Sequence, residues 1–373
     1  MTLSTWTTAQ PAAGLGAADG SRFDASVRHE ISQLVDGYKK DAAAYSPATA
    51  VLWERIFTSL EGGKLTRPRL VRLGYDAFKP QPRQEQPQHH GAGHRVVLLG
   101  CAFELLHTSL LMHDDVIDRD FTRRGRRTLS AQYRDDALAA GQRVPDAEHA
   151  GHSAAIIAGD LLLAAAISLA LRAGSSLAQA GAIERSFQLA IQNAGAGELE
   201  DLLYSLDHSP AKVQDVLRME ELKTASYSFR FPLQTGALLA GASPAEAAAL
   251  ADIGGQLGVA YQLIDDVLGT FGDPSTTGKS VDSDLREGKS TILTALAAEQ
   301  PEFGESLKLL RTHTATLTSL RSALAAADAE PLARQLAKEL CDSALYSARR
   351  LDLPEAVSAQ LKNFATLILT RGA

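Results

Sequence analysis

Cysteine is scarce in this chain. Cys101 and Cys341 are the only two among 373 residues and neither belongs to a CxxC pair, so a disulfide framework is excluded and a reducing cytoplasm is expected. A basic excess is also missing. Lys and Arg number 37 against 44 Asp and Glu, for a net charge of -7, which argues against a general nucleic-acid binder. Met1 to Gly20 has neither a basic n-region nor an apolar h-region, so no secretory signal is expected. Strand signals are few, and no repeat of roughly 20–50 residues is visible. What remains is 45% hydrophobic and 22% charged, the composition of an ordinary soluble globular protein. At roughly 150 residues per domain the length allows two domains or one large one.

Strong helix formers fill most windows from Phe23 onward, and the expected class is all-α. The best strand candidate, Val96 to Leu99, runs into a segment where Leu98, Cys101, Leu105 and Met112 share a helical face, so it is read as helix. Ser153 to Leu171 is about long enough to span a bilayer. Asp160 in its middle and its high Ala content point instead to a helix buried on all sides in a large helical protein, with no membrane span. Loops are expected at Lys79 to His94, Ala139 to Gly151 and Gly269 to Lys289. The last is long enough to be functional. The expected organisation is a tail over 1–24 and a single all-α domain over 25–373.

Two groups of carboxylates stand in apolar surroundings. In HDDVIDRD, Asp114, Asp115 and Asp118 crowd one side of a helix through three- and four-residue spacings. Without a cation they would raise each other's pKa. Oxygen-only ligands suit Mg²⁺. A solvated acidic turn is the alternative, and it fits poorly beside Leu110, Leu111, Val116 and Ile117. In YQLIDDVLG, Asp265 and Asp266 again lie in an apolar helical run. A bare charge there costs several kcal/mol unless it is paired or metal-bound. Two such groups are expected to face a common cavity that could hold Mg²⁺ around a highly charged anion. Cations are scattered along the chain: Lys64 and Arg67 in GGKLTRP, Arg123 and Arg124 in TRRGRR, Lys223 in ELKTAS, Lys279 in TTGKS and Lys289 in REGKS. Each alone reads as surface charge. Together with the acidic groups they read as pockets for phosphorylated substrates.

GGKLTRP, ELLHTSLLMHDDVIDRDFTRRG, ELKTAS, YQLIDD and GDPSTTGKSVDSDLREGKST, in this order, resemble the trans-type polyprenyl diphosphate synthases, and within them the actinobacterial geranylgeranyl diphosphate synthases. The resemblance runs from about residue 50 onward. It implies a bundle of long helices around a deep central cavity, usually in a homodimer. Carried over by position, it implies that Lys64, Arg67, His107 and Arg124 hold isopentenyl diphosphate. Arg123, Lys223 and Lys279 would contact an allylic prenyl diphosphate. Asp114, Asp118 and Asp265 would bind Mg²⁺, tuned by Asp115 and Asp266. Thr224 and Gln262, with Lys223, would stand near the reacting carbons. Ser109 and Leu110, about one turn before Asp114, would face the growing chain, and Ser109→Phe would shorten the product. Where the family often reads DDxxD, the fifth position here is Gly269, which leaves the role of Asp273 open. Where it usually reads Gly-Gln, this chain has Gly197-Glu198, which adds a carboxylate near Asp201.

Rival readings meet specific obstacles. GDPSTTGKS ends like a Walker A motif, but five residues rather than four separate Gly272 from Gly278, and a helix precedes it. Glu104 and His107 make one Glu-x-x-His, whereas a di-iron bundle needs two. A class I terpene cyclase would not need a second diphosphate pocket. A non-catalytic partner subunit could lose its aspartates, and here both pairs are intact.

Overall fold

The computed structural model describes residues 17–80, 91–123, 125–206, 211–272, 289–298, 300, 303 and 316–371. The class is all-α, as expected. The helices are α1 (Ala17–Ala42), α2 (Pro47–Leu60), α3 (Thr66–Phe78), α4 (Ala92–Ile117), α5 (Leu129–Ala139), α6 (Val144–Gly174), α7 (Ala180–Leu206) and α8 (Val213–Glu220). A π-helical segment (Glu221–Arg230) follows, then α9 (Phe231–Ala240), α10 (Pro244–Phe271), α11 (Ile292–Ala297), α12 (Leu317–Ala326), α13 (Ala329–Ala348) and α14 (Glu355–Thr370). Two-residue strands β1 (Thr122–Arg123) and β2 (Arg126–Arg127) pair antiparallel, with Thr122 opposite Arg127.

The described residues fall into two compact units. One comprises the described residues over 17–187 and Thr235–Ala242; the other comprises those over 188–234 and 243–371. The chain passes between them three times, within α7, within α9 and between α9 and α10. Two expected boundaries move. Helix begins at Ala17 and Phe23 is already buried, so the expected tail over 1–24 is too long. The loop expected over Ala139 to Gly151 shrinks, because Pro145, at one of the first two positions of α6, starts that helix at Val144.

In the first unit α4 packs on α1, α3 and α6. It is apolar around its whole circumference, and Val96 through Leu106 are all buried, as a central helix requires. The strand candidate Val96 to Leu99 is helical. α6 lies against α4, with Gly159 at the contact, and most of its buried positions are small, among them Ala155, Ala158, Gly159, Ala165 and Ala166. The opposite side of α6 is not buried. Ile156, Ile157, Ile167 and Leu171 are exposed there, which corrects the expectation of burial on all sides. The segregation has a simple cause: Ala and Gly let two helices approach closely, and the larger apolar side chains are left on the outer face. Both α4 and α6 are long and apolar enough to cross a membrane, but α4 is mostly buried within the unit. α9 meets α3 at Gly236, where a Cβ would come within 2.9 Å of the Tyr75 backbone nitrogen.

In the second unit α10 packs on the π-helical segment, α13 and α14. Its start is set by Ser243 and Glu246, whose side chains each bond the other's backbone N–H, with Pro244 at the first position. α11 is started in the same way by Thr291 and Thr294.

Candidate active site

The first acidic group closes α4. Asp114 and Asp115 occupy its last turn and Asp118 caps it, with the Asp118 N–H bonded to the Asp114 carbonyl. Arg119, in the left-handed region at φ 57°, turns the chain away. A helix C-terminus is the electrostatically wrong end for carboxylates, so this arrangement demands positive charge. Arg123 on β1 supplies it. Its Nη2 donates to Asp114 Oδ2 at 2.5 Å and its Nε to Asp115 Oδ1 at 2.6 Å. The two carboxylates are thereby clamped by one planar guanidinium. Asp115 is the buried member. Burial pushes its carboxyl up to about 7, Arg123 opposes the rise, and Asp114 and Asp120 add to it. Asp114 and Asp118 remain partly open, and each offers an oxygen within 4.8 Å of the other's. Paired hard oxygens suit a divalent cation of the Mg²⁺ type rather than a soft one.

The second acidic pair lies near the end of α10. Adjacent helical positions diverge by about 100°, and the two carboxylates have different partners. Asp265 is partly open, and its Oδ1 accepts from Arg371 Nη2 at 2.9 Å. Asp266 is buried. Its Oδ1 accepts from Gln262 Nε2 and its Oδ2 from the Ile292 N–H, both at 3.2 Å. Glu220, at the end of α8, is buried beside it, and burial followed by the charge of Asp266 raises the Glu220 carboxyl well above its ordinary value. Asp265 is therefore placed to meet a ligand, while Asp266 braces the start of α11.

Lys223 and Thr224 lie in the π-helical segment. Single-turn π distortions often mark functional sites. The Lys223 ammonium is held by Asp201 at 2.6 Å and Glu198 at 3.1 Å. Gly197 allows this, since a Cβ there would collide with the Lys223 backbone. The carboxylate that departs from the family's Gly-Gln thus joins the partners of this lysine.

Among the basic residues, Lys64 and Arg67 border a tight turn made by left-handed Gly62 (φ 78°) and Leu65 (φ 53°). Gly63 rests on α4, where a Cβ would stand 2.6 Å from Glu104 Oε1. His107 follows Glu104 by three residues, one turn along the same helix. The turn carrying Lys64 and Arg67 is therefore a neighbour of His107. Arg124, Asp273 and Lys279 lie outside the described residues.

Ser109 faces α6. It is 0% exposed and its hydroxyl donates to the Gly159 carbonyl at 2.8 Å. One turn later His113 lies over Gly159 and stands 3.3 Å from Asp160, which gives that carboxylate a partner. The expectation that Ser109 faces open space for the product is corrected by this packing. Leu110 is only partly buried.

Arg371 and Glu220 are absent from the sequence reading, and Asp201 enters it only as a neighbour of the Gly197-Glu198 carboxylate. Glu220, three residues before Lys223 and next to Met219, could have been noticed as a carboxylate in a partly apolar helix. Arg371 carries no local signal, since its partner is 106 residues away.

Known proteins resemble this chain in sequence and fold. A geranylgeranyl diphosphate synthase of Sulfolobus acidocaldarius is 30% identical over 92% of this chain and 98% of its own length. A farnesyl diphosphate synthase of Mycobacterium bovis is 31% identical over 83% of this chain and 80% of its own length. A crystal structure of the Corynebacterium glutamicum geranylgeranyl pyrophosphate synthase, complexed with isoprenyl diphosphate and magnesium, superposes with a TM-score of 0.83 at 29% identity, covering 94% of this chain and 99% of that one. A family model described as polyprenyl synthetase matches residues 51–327. Members of this family are metal-dependent prenyltransferases. With the model spanning most of its length and such relatives beside it, the chain belongs to the polyprenyl synthetase family.

Proposed function

We propose that this chain is a Mg²⁺-dependent geranylgeranyl diphosphate synthase, joining isopentenyl diphosphate head-to-tail to an allylic prenyl diphosphate until the chain has twenty carbons. The observation that carries the reading is the Asp114–Asp118 pair, two hard-oxygen donors within 4.8 Å at the end of a buried apolar helix. Asp265, the outward member of the second pair, would offer a further hard-oxygen donor for Mg²⁺. When bound, Mg²⁺ neutralises charge on the departing allylic diphosphate and so favours ionisation.

The remaining steps fall to side chains. Lys64, Arg67, His107 and Arg124 hold isopentenyl diphosphate, and Arg123, Lys223 and Lys279 attend the allylic diphosphate. Arg123 does so while clamping Asp114 and Asp115. Because Gln262 directs its amide nitrogen at the acceptor Asp266, its carbonyl oxygen is the end left for the reacting carbons. That oxygen and the Thr224 hydroxyl stabilise developing positive charge. The isopentenyl double bond attacks C1 of the allylic cation, and a proton is then lost to the released diphosphate. No protein nucleophile is needed.

The reading includes a homodimer, in which a second copy covers the exposed apolar face of α6. It also places the enzyme in a reducing cytoplasm, consistent with Cys101 and Cys341 as buried free thiols. Mass analysis of the product made from isopentenyl diphosphate and farnesyl diphosphate tests the chain length. A twenty-carbon diphosphate is expected; products that continue beyond it would replace this reading with that of a longer-chain synthase.

A further inference from the structure

Arg371 follows α14 directly, yet its side chain is only 6% exposed. A buried guanidinium is costly unless it is paired in good geometry. Here Nη2 bonds Asp265 at 2.9 Å, and the guanidinium carbon lies 4.3 Å from the centre of the Tyr261 ring. Tyr261 and Asp265 are one turn apart on α10, so Arg371 grips a single face of that helix. The carboxylate it grips is the outward one of the pair; its neighbour Asp266 is occupied with Gln262 and the start of α11.

We propose that Arg371 is a positioning residue and the resident counter-ion of Asp265. It holds that carboxylate in one orientation, engages one of its oxygens, and sets the charge against which a divalent cation must bind. The inference rests on the reading of Asp265 as a cation ligand. Two consequences follow from reciprocity between coupled sites. The charge of Arg371 weakens cation binding at Asp265, and the bound cation weakens the Arg371–Asp265 bond. The cost is offset by order, since Asp265 is already aimed before the cation arrives.

The test is calorimetric titration of the full chain with Mg²⁺ in the presence of inorganic diphosphate, beside thermal unfolding with and without Mg²⁺. Removing a full charge a few ångströms from a ligand in a partly buried site changes affinity by roughly tenfold or more. Arg371→Gln is therefore expected to tighten Mg²⁺ binding by at least about tenfold. Its unfolding temperature falls without Mg²⁺ and is largely restored with it. Arg371→Lys, which keeps the charge, is expected to stay within about threefold of wild type. Unchanged or weaker Mg²⁺ binding in Arg371→Gln, or an equal thermal loss with and without Mg²⁺, would overturn the proposal by making Arg371 a structural pin. If Arg371→Gln does not fold, Arg371→Lys still decides: tenfold tighter binding there, with the charge retained, would contradict it. Asp265→Asn separates the two readings. If it weakens Mg²⁺ binding while Arg371→Gln fails to tighten it, only the role of Arg371 falls. If Asp265→Asn leaves Mg²⁺ binding unchanged, the ligand reading falls and the inference falls with it.

Discussion

Replacing Ser109 with Phe puts six ring carbons where one oxygen stood. The hydroxyl is fully buried, 2.8 Å from the Gly159 carbonyl, and α6 approaches closely there because Gly159 has no side chain. The space above Gly159 is already filled by His113, whose ring would meet an added Cβ. A phenyl group must therefore push α4 and α6 apart. Overpacking of a well-filled contact costs about 1–3 kcal/mol, and the lost buried hydrogen bond costs about 1 kcal/mol more. The total of roughly 2–4 kcal/mol, at about 2–4 °C per kcal/mol for a unit of this size, lowers the unfolding temperature by roughly 4–16 °C. Ser109→Ala should lose only the bond, about 1 kcal/mol, and leave product length unchanged. Leu110→Phe, at a partly buried position, is the variant expected to shorten the product with little loss of stability. Differential scanning calorimetry and product mass analysis on the three variants check this together. A Ser109→Phe protein with wild-type stability and a fifteen-carbon product would refute the packing argument.

Two further predictions concern stability. Because the folded-state pKa of Asp115 is raised to about 7, its contribution is fully present at low pH and fades as pH rises through 7. In chelator, wild type should therefore lose stability relative to Asp115→Asn between pH 5 and pH 8, by at most about 1.4 kcal/mol per pH unit; parallel urea midpoints across that range would show that Asp115 does not titrate there. Gly236→Ala should cost several kcal/mol, because its Cβ would strike the Val71 and Tyr75 backbone of α3, which cannot rotate away. A urea midpoint equal to that of wild type would mean that α9 and α3 are farther apart than described.

The motifs were legible because each is short and contiguous, and the apolar runs around them identified the helices that carry them. Orientation was not legible. Asp265 and Asp266 read as equivalent in YQLIDD, yet packing against Glu220 and α11 turns one inward and leaves the other to Arg371. TRRGRR reads as a run of charge; Gly125 at φ 70° folds it into a hairpin, and the pairing of Arg123 with Asp114 and Asp115 follows from that. α6 looks uniformly apolar by composition, and only the split between Ala or Gly and Ile or Leu reveals its two faces. The π-helical pitch at ELKTAS has no marker in the residues themselves.

The central claim is the proposed Mg²⁺-dependent condensation of isopentenyl diphosphate with an allylic diphosphate, with Asp114 and Asp118 as the proposed cation ligands. The most direct measurement is incorporation of labelled isopentenyl diphosphate into a longer prenyl diphosphate, by wild type and Asp114→Ala, with Mg²⁺ and with excess chelator. Wild type should require both the allylic diphosphate and Mg²⁺, and Asp114→Ala should be slower by at least about a thousandfold, or roughly 4 kcal/mol of lost transition-state stabilisation. Near-normal turnover by Asp114→Ala, full activity in chelator, or conversion of the allylic diphosphate alone to a hydrocarbon would contradict it.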